Sequence, residues 1–147
     1  MTLSDGLRAL TPGRAAGRIA LLSAPLSLWG GLDLASGAIC DVNHPQHGVD
    51  LRGRIVAMKA ARGSSSSSSA LVEAIRRGNA PAAILLGAVD PILVIGSLVA
   101  ADLYRVEVPI VLVPDADWGR LEDGAQAVVV AGADAASIRF ADDRTPC

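Results

Sequence analysis

The feature that most constrains the fold is an alternation through the middle of the chain: three short apolar runs separated by two segments of helical character. The runs are Ile55 to Met58, Ala82 to Leu86 and Val108 to Val113, each apolar at consecutive positions, which is the pattern of strands covered on both faces. Between the first two, Leu71, Ala74, Ile75 and Gly78 recur on one helical face while Glu73, Arg76 and Arg77 fall opposite. Glu73 stands four residues before Arg77, and Gly78, Asn79 and Pro81 supply a stop. Asp90-Pro91 reads as an N-cap with proline in the first turn of a second helix through Leu103. That helix is apolar all round, so it is expected to be buried. Strand, helix, strand, helix, strand in this order calls for parallel pairing with right-handed crossovers.

The first half is punctuated by glycine, and Arg18 to Ser23 and Leu26 to Trp29 read as further short strands. Asp41 to Gly48 is a polar loop, and Ala127 to Val130 with Ile138 to Phe140 around Gly132 form a closing hairpin. The expectation is an α/β fold: a small β-barrel or open sheet backed by two helices, one domain over residues 1–147 with its core in about 17–140. A hydrophobic content of 51% in 147 residues is enough for such a core.

Thirteen basic residues against fifteen acidic leave a net charge of -2 without a basic block, which argues against nucleic-acid and membrane-surface partners. The four aromatic positions, Trp29, Trp118, Tyr104 and Phe140, are scattered, which argues against a base-stacking surface. No secretory leader pattern is present, and the longest apolar stretch, Pro91 to Ala101, is short of the roughly 20 residues of a bilayer span. A cytoplasmic protein is expected. Cys40 and Cys147 lie far apart, matching neither a zinc site nor a disulfide framework, and a cluster normally takes about four thiolates. No metal is therefore expected on this chain, and cluster chemistry would come from a partner.

Ser64 to Ser69 are six consecutive serines. Such composition ordinarily reads as a linker, but here it is enclosed by a strand and an amphipathic helix. Arg62-Gly63-Ser64-Ser65 at a strand-to-helix turn would aim unpaired amides and the positive helix end at an anion, with Gly63 permitting close approach by a ligand. The bland reading is that Ser64 or Ser65 caps the helix. The missing lysine argues against a Walker A loop and the missing Gly-x-Ser-x-Gly against a nucleophile elbow. His44 and His47, three apart on the polar loop, have the chemistry for metal binding or proton transfer, although solvated imidazoles on a turn are the reading adopted. Asp33, Asp41, Asp90, Asp115, Asp117 and Asp123 occupy turn and cap positions and are given no chemistry.

Taken together, Leu26-Ser27-Leu28-Trp29-Gly30-Gly31-Leu32-Asp33, the loop containing His44-Pro45, Leu51-Arg52-Gly53-Arg54-Ile55 and Arg62-Gly63-Ser64-Ser65-Ser66 resemble the small subunit of aconitase X enzymes. The likeness continues through Leu71-Val72-Glu73-Ala74-Ile75-Arg76, Ala80-Pro81-Ala82-Ala83-Ile84 and Val108-Pro109-Ile110-Val111. It implies a swivelling β/β/α domain like the mobile C-terminal domain of aconitase. Aconitase carries Gly-Ser-Ser-Arg-Glu at the corresponding turn, and its first serine is the base that removes the substrate proton. Laid on this chain, that serine falls on Ser64 and the substrate-contacting second serine on Ser65. Ser66 stands where aconitase has arginine, which leaves Arg62 as the nearest cation for a carboxylate and Gly63, Ser65 and Ser66 as substrate-binding positions. Lys59-Ala60-Ala61 departs from the family, which more often has proline and then glycine there, and a left-handed Ala61 would cost about 1 kcal/mol.

The resemblance further implies a hydro-lyase subunit that works with a large subunit carrying an iron or iron-sulfur centre. Its hydroxy-acid substrate would be cis-3-hydroxy-L-proline, dehydrated to 1-pyrroline-2-carboxylate, or alternatively phosphomevalonate; the serine-rich motif and the Ala/Arg-rich composition favour the first. Two other classes are a phosphocarrier swivelling domain, whose Gly-Gly-x-Thr-Ser-His context neither histidine matches, and a non-catalytic binding module.

Overall fold

Alternate residues of the central strands enter two different cores, and this division organises the molecule. The computed structural model describes residues 1–141. Among them, strands β1 (Thr2–Leu3), β2 (Arg8–Thr11), β3 (Gly13–Leu21), β4 (Ile55–Met58), β5 (Ala83–Leu86), β6 (Ile110–Leu112), β7 (Gln126–Ala131) and β8 (Ala136–Phe140) form one sheet in the order β1-β8-β7-β3-β4-β5-β6-β2. The helices are α1 (Leu28–Gly31), α2 (Ser66–Arg76), α3 (Pro91–Tyr104) and α4 (Asp115–Trp118).

Val56, Met58, Ile84, Leu86 and Ile110 pack with Leu71, Ala74 and Ile75 of α2 and with Leu93 and Ala100 of α3. Their neighbours Ile55, Ala57, Ala83, Leu85 and Val111 point the other way, to Ile19, Val129, Ile138 and Trp118. The period of two in a strand separates the sets, and both are apolar because both faces are covered. Leu3, Leu7 and Ala9 belong to the second core, so the packed interior begins well before Gly17. A bridge between Arg8 and Ala135, with Ala9 N donating to Asp134 O at 2.7 Å, brings β2 round to the β7–β8 turn and curls the sheet into a barrel-like form.

The pairs β3–β4, β4–β5 and β5–β6 are parallel, as the strand-helix alternation requires, and β7–β8 is the expected hairpin. The carboxyl ends of β3 to β6 therefore share one edge of the sheet. From that edge leave the connections that lead into all four helices.

Three local expectations are corrected. Leu26 to Trp29 is not a strand: Leu26 and Leu28 anchor in the first core, and a helical turn at α1 is broken at Trp29 (φ −79°, ψ 111°) and Gly30 (φ 82°). Gly78 does not pack on the helix face but closes α2. It is exposed at φ +73°, with Gly78 N donating to Ile75 O and Asn79 N to Ala74 O, the paired bonds of a Schellman ending. The second helix is capped as read, Asp90 accepting from Ile92 N (2.9 Å) and Leu93 N (3.2 Å), but it is not buried all round. It hides Leu93, Gly96, Ser97 and Ala100, while Ile95, Leu98, Val99 and Leu103 are 40–60% exposed. An apolar sequence states which residues avoid water and not whether the chain has enough layers to cover them. Among the described residues no helix is long and apolar enough to cross a membrane.

On the outer face of α2, Arg76 Nε donates to Glu73 Oε2 and Arg77 Nε to Oε1, both at 2.9 Å. The Arg76 bond above all, then the Arg77 bond, lowers the Glu73 carboxyl from its ordinary 4.5 to about 2. Because the folded value is depressed, this contribution is fully present above pH 4.5 and is lost as pH falls through about 2. Solvent screening keeps it small. An NMR titration of the Glu73 carboxyl is expected to give a midpoint near 2, and a midpoint at 4.5 would show that the arginines do not hold it in solution.

Candidate functional site at the carboxyl edge of the sheet

Residues 59–65 join the end of β4 to the start of α2 and carry every site residue expected from the sequence except Ser66, which is the first residue of α2. Lys59 O accepts from Gly87 N at 3.0 Å, and a side chain at Gly87 would meet that carbonyl at 2.8 Å, so the connections after β4 and β5 touch backbone to backbone. The positive φ falls at Gly63 (+113°) and not at Ala61, so the left-handed Ala61 does not arise.

Gly63 has a different use from the one its sequence context suggested. A Cβ there would lie 2.1 Å from Ser27 Oγ, so the space left bare is filled by the chain itself rather than by a ligand. Ser27 Oγ donates to Trp29 O at 2.9 Å, and Trp29 N donates to the buried Ser67 Oγ at 3.4 Å. The Ser27–Gly31 segment is thus laced to the first turn of α2, with Trp29 itself exposed.

The serines divide their tasks. Ser65 occupies the N-cap position with helical backbone angles and makes no side-chain capping bond. Ser64 Oγ accepts from Ser66 N at 3.3 Å, Ser64 O from Ser67 N at 3.0 Å, and Ser65 O from Ser68 Oγ at 2.9 Å. Ser65 therefore caps nothing, whereas Ser64, just before the first residue with helical angles, accepts the amide two residues on and so makes a long capping bond to the first turn as well. Arg62, Ser64 and Ser65 are exposed, and Arg62 makes no ion pair among the described residues.

Beside this turn lies an open cavity of about 470 Å³ bounded by residues 21–25, Lys59, Ala60 and Trp118. It sits outside the carboxyl ends of parallel strands, where ligands of open α/β sheets usually bind. Lys59, whose Nζ lies 3.5 Å from Asp115 Oδ1, bounds it, while Arg62 and the serines of the turn are not among its bounding residues. Lys59, Ser27 and Trp29 were not selected from the sequence. Gly63 was the available signal, since a glycine in a tight turn announces that something approaches it, but only the fold says what.

The two histidines part company. His47 is exposed, whereas His44 is 6% exposed and not solvated as expected. Its Nδ1 accepts from Gln46 N at 3.0 Å, which leaves Nε2 to carry the proton and donate to Ala24 O at 3.0 Å. Cys40 is exposed, with Sγ 3.4 Å from Gly30 O, while Cys147 lies outside the described residues. Among the described residues no group of three or more His, Cys, Asp or Glu side chains could hold a metal ion.

Residues 6–138 match the family model described as the aconitase X swivel domain. The chain is 40% identical over 124 residues to a cis-3-hydroxy-L-proline dehydratase of Pseudomonas aeruginosa, an alignment covering 80% of this chain and 21% of that protein. It is 32% identical over 134 residues to a phosphomevalonate dehydratase small subunit of Methanothermobacter thermautotrophicus, covering 90% of this chain and 96% of that one. The chain thus spans about a fifth of the hydroxyproline dehydratases it matches, 21% and 22%. Its fold matches a crystal structure of Thermococcus kodakaraensis aconitase X in the holo-form with a TM-score of 0.78 at 23% identity, over 92% of this chain and 95% of that one.

Proposed function

Since the chain belongs to the aconitase X family, we propose that it is the serine-bearing swivelling subunit of a dehydratase, acting on a hydroxy acid together with a larger, metal-bearing subunit. The observation that carries this reading is Ser64: an exposed hydroxyl at the mouth of a strand-to-helix turn whose oxygen already accepts the Ser66 amide. A free serine is too weak an acid to be found ionised. An N–H donor and the positive end of α2 both stabilise charge on that oxygen, the condition for a serine base.

In the proposed reaction Ser64 Oγ takes the proton from the carbon next to the substrate carboxylate. The electron pair of that C–H bond forms the new double bond, the bond to the adjacent hydroxyl breaks, and the departing hydroxide together with the proton taken by Ser64 makes up the water that is the second product. Arg62 holds the carboxylate, and Ser65 and Ser66 donate hydrogen bonds to substrate through hydroxyl groups, with the Gly63 amide beside them. The described residues do not fit a metal centre, so every step assigned to this chain is proton or anion binding. The iron or iron-sulfur centre is assigned to the larger subunit.

The substrate proposed is cis-3-hydroxy-L-proline, supported by the greater identity to the hydroxyproline dehydratase (40%) than to the phosphomevalonate enzyme (32%). Assayed with its larger partner, the chain is expected to support dehydration of cis-3-hydroxy-L-proline. Turnover of phosphomevalonate alone would reverse the substrate assignment, and turnover of neither would remove the dehydratase reading.

A further inference from the structure

We propose that His44 and Gln46 are positioning residues for Ser64, acting through the segment that leaves β3; the inference rests on the assignment of Ser64 as the base. Gln46 grips this segment as a neighbouring strand would: Nε2 donates to Leu21 O and Oε1 accepts from Ser23 N, both at 2.8 Å. His44 adds the next bond along, Nε2 to Ala24 O at 3.0 Å, and its Nδ1 fixes the backbone of Gln46 itself. Three successive points of the chain are thereby tied to one loop. That loop is in turn held by Gly48 N to Ile39 O at 2.8 Å, and Ile39 and Leu51 on either side of it are fully buried.

The tie leads straight to the candidate site. After Ala24 come Pro25, whose ring restricts the backbone, and Leu26, 1% exposed in the first core. Ser27 follows, and it fills the space beside Gly63 so closely that a Cβ could not enter. Ser64 is the next residue. A shift of residues 22–27 therefore moves the wall against which the Ser64 turn rests. A buried imidazole with a bond on each ring nitrogen is a demanding way to fill space, since an aliphatic side chain would occupy the same volume without polar partners to satisfy. The demand is explained if what matters is where Ala24 and its successors sit. Misplacing a reacting group by about 1 Å can cost on the order of 10²-fold in rate.

The test is made on the full chain with its larger subunit. His44→Leu is expected to lower kcat by roughly 10- to 100-fold with KM little changed, and His44→Gln, which keeps a donor toward Ala24, is expected to recover most of the loss. In a Trp118→Phe background the emission of Trp29 reports the Ser27–Gly31 segment directly. It is expected to shift in His44→Leu and to stay unshifted in Ile138→Val, a small cavity in the opposite core. Unchanged kcat in His44→Leu overturns the proposal, and so does a fall in kcat no larger than that of an Ile138 variant of equal thermal stability. Should His44→Leu fail to fold, Gln46→Ala is read in the same two ways. The Trp29 shift does not depend on Ser64 being the base: a shift accompanied by full activity of Ser64→Ala would sink the base assignment alone, and an unshifted Trp29 would sink the clasp alone.

Discussion

Replacing Ser64 with alanine is expected to lower kcat of the assembled enzyme by about 10²- to 10⁴-fold, the usual contribution of a positioned proton-transferring group. KM and the thermal midpoint are expected to stay close to those of the unaltered protein. The hydroxyl is exposed and its one hydrogen bond among the described residues comes from the Ser66 amide, which water can satisfy once the oxygen is gone. Loss of a long, exposed capping bond of this kind costs about 1 kcal/mol or less. Steady-state kinetics and calorimetry on the same preparation separate the two effects. Equal turnover by Ser64→Ala and the unaltered chain would remove Ser64 from the chemistry.

The second large effect is on the fold. In Gly63→Ala the new Cβ would stand 2.1 Å from Ser27 Oγ and 2.7 Å from Ser27 Cβ, at a φ of +113° that L side chains rarely adopt. Backbone strain of this kind costs about 1–3 kcal/mol and overpacking a further 1–3. A loss of about 2–6 kcal/mol is expected, which for a chain of this size lowers the melting temperature by roughly 4–24 °C. The cost divides in a testable way. Ser27→Gly in the same chain is expected to remove the collision and leave the φ strain, so a double-mutant cycle should show favourable coupling between positions 27 and 63. A cycle without coupling would mean that the two residues do not meet.

Where sequence and structure agree, one local rule decided the outcome. The β4-α2-β5-α3-β6 order follows from the period of the apolar residues, the Asp90 cap and the Gly78 stop, all of which act over a few neighbours. The turn at Ser64 was legible for the same reason: a strand, a glycine and a helix-starting serine leave little choice. What was not legible depended on partners distant in sequence. Leu26 to Trp29 has the composition of a strand, but Leu26 and Leu28 anchor in the first core and Ser27 packs against Gly63, so it folds as a turn. His44 looks like a loop residue until the carbonyl of Ala24 is placed above it. Lys59 stood out only as a departure from its family, and its place at the cavity rim comes from the sheet edge where β4 ends.

The strand order also bears on how the protein is made. Thr2 and Leu3 pair with Arg139 and Ile138, and Arg8 to Thr11 pair with Ile110 to Leu112, so the earliest strands wait for partners about a hundred residues or more downstream. At synthesis rates of about 5–20 residues per second, that wait lasts on the order of five to thirty seconds. During it the β4-α2-β5-α3 portion emerges and can collapse locally, while β1 and β2 have no strand partner and β2 has only α3, through Thr11 and Ser97, to rest on. Slowing the ribosome would lengthen the interval in which β1 and β2 lack their strand partners.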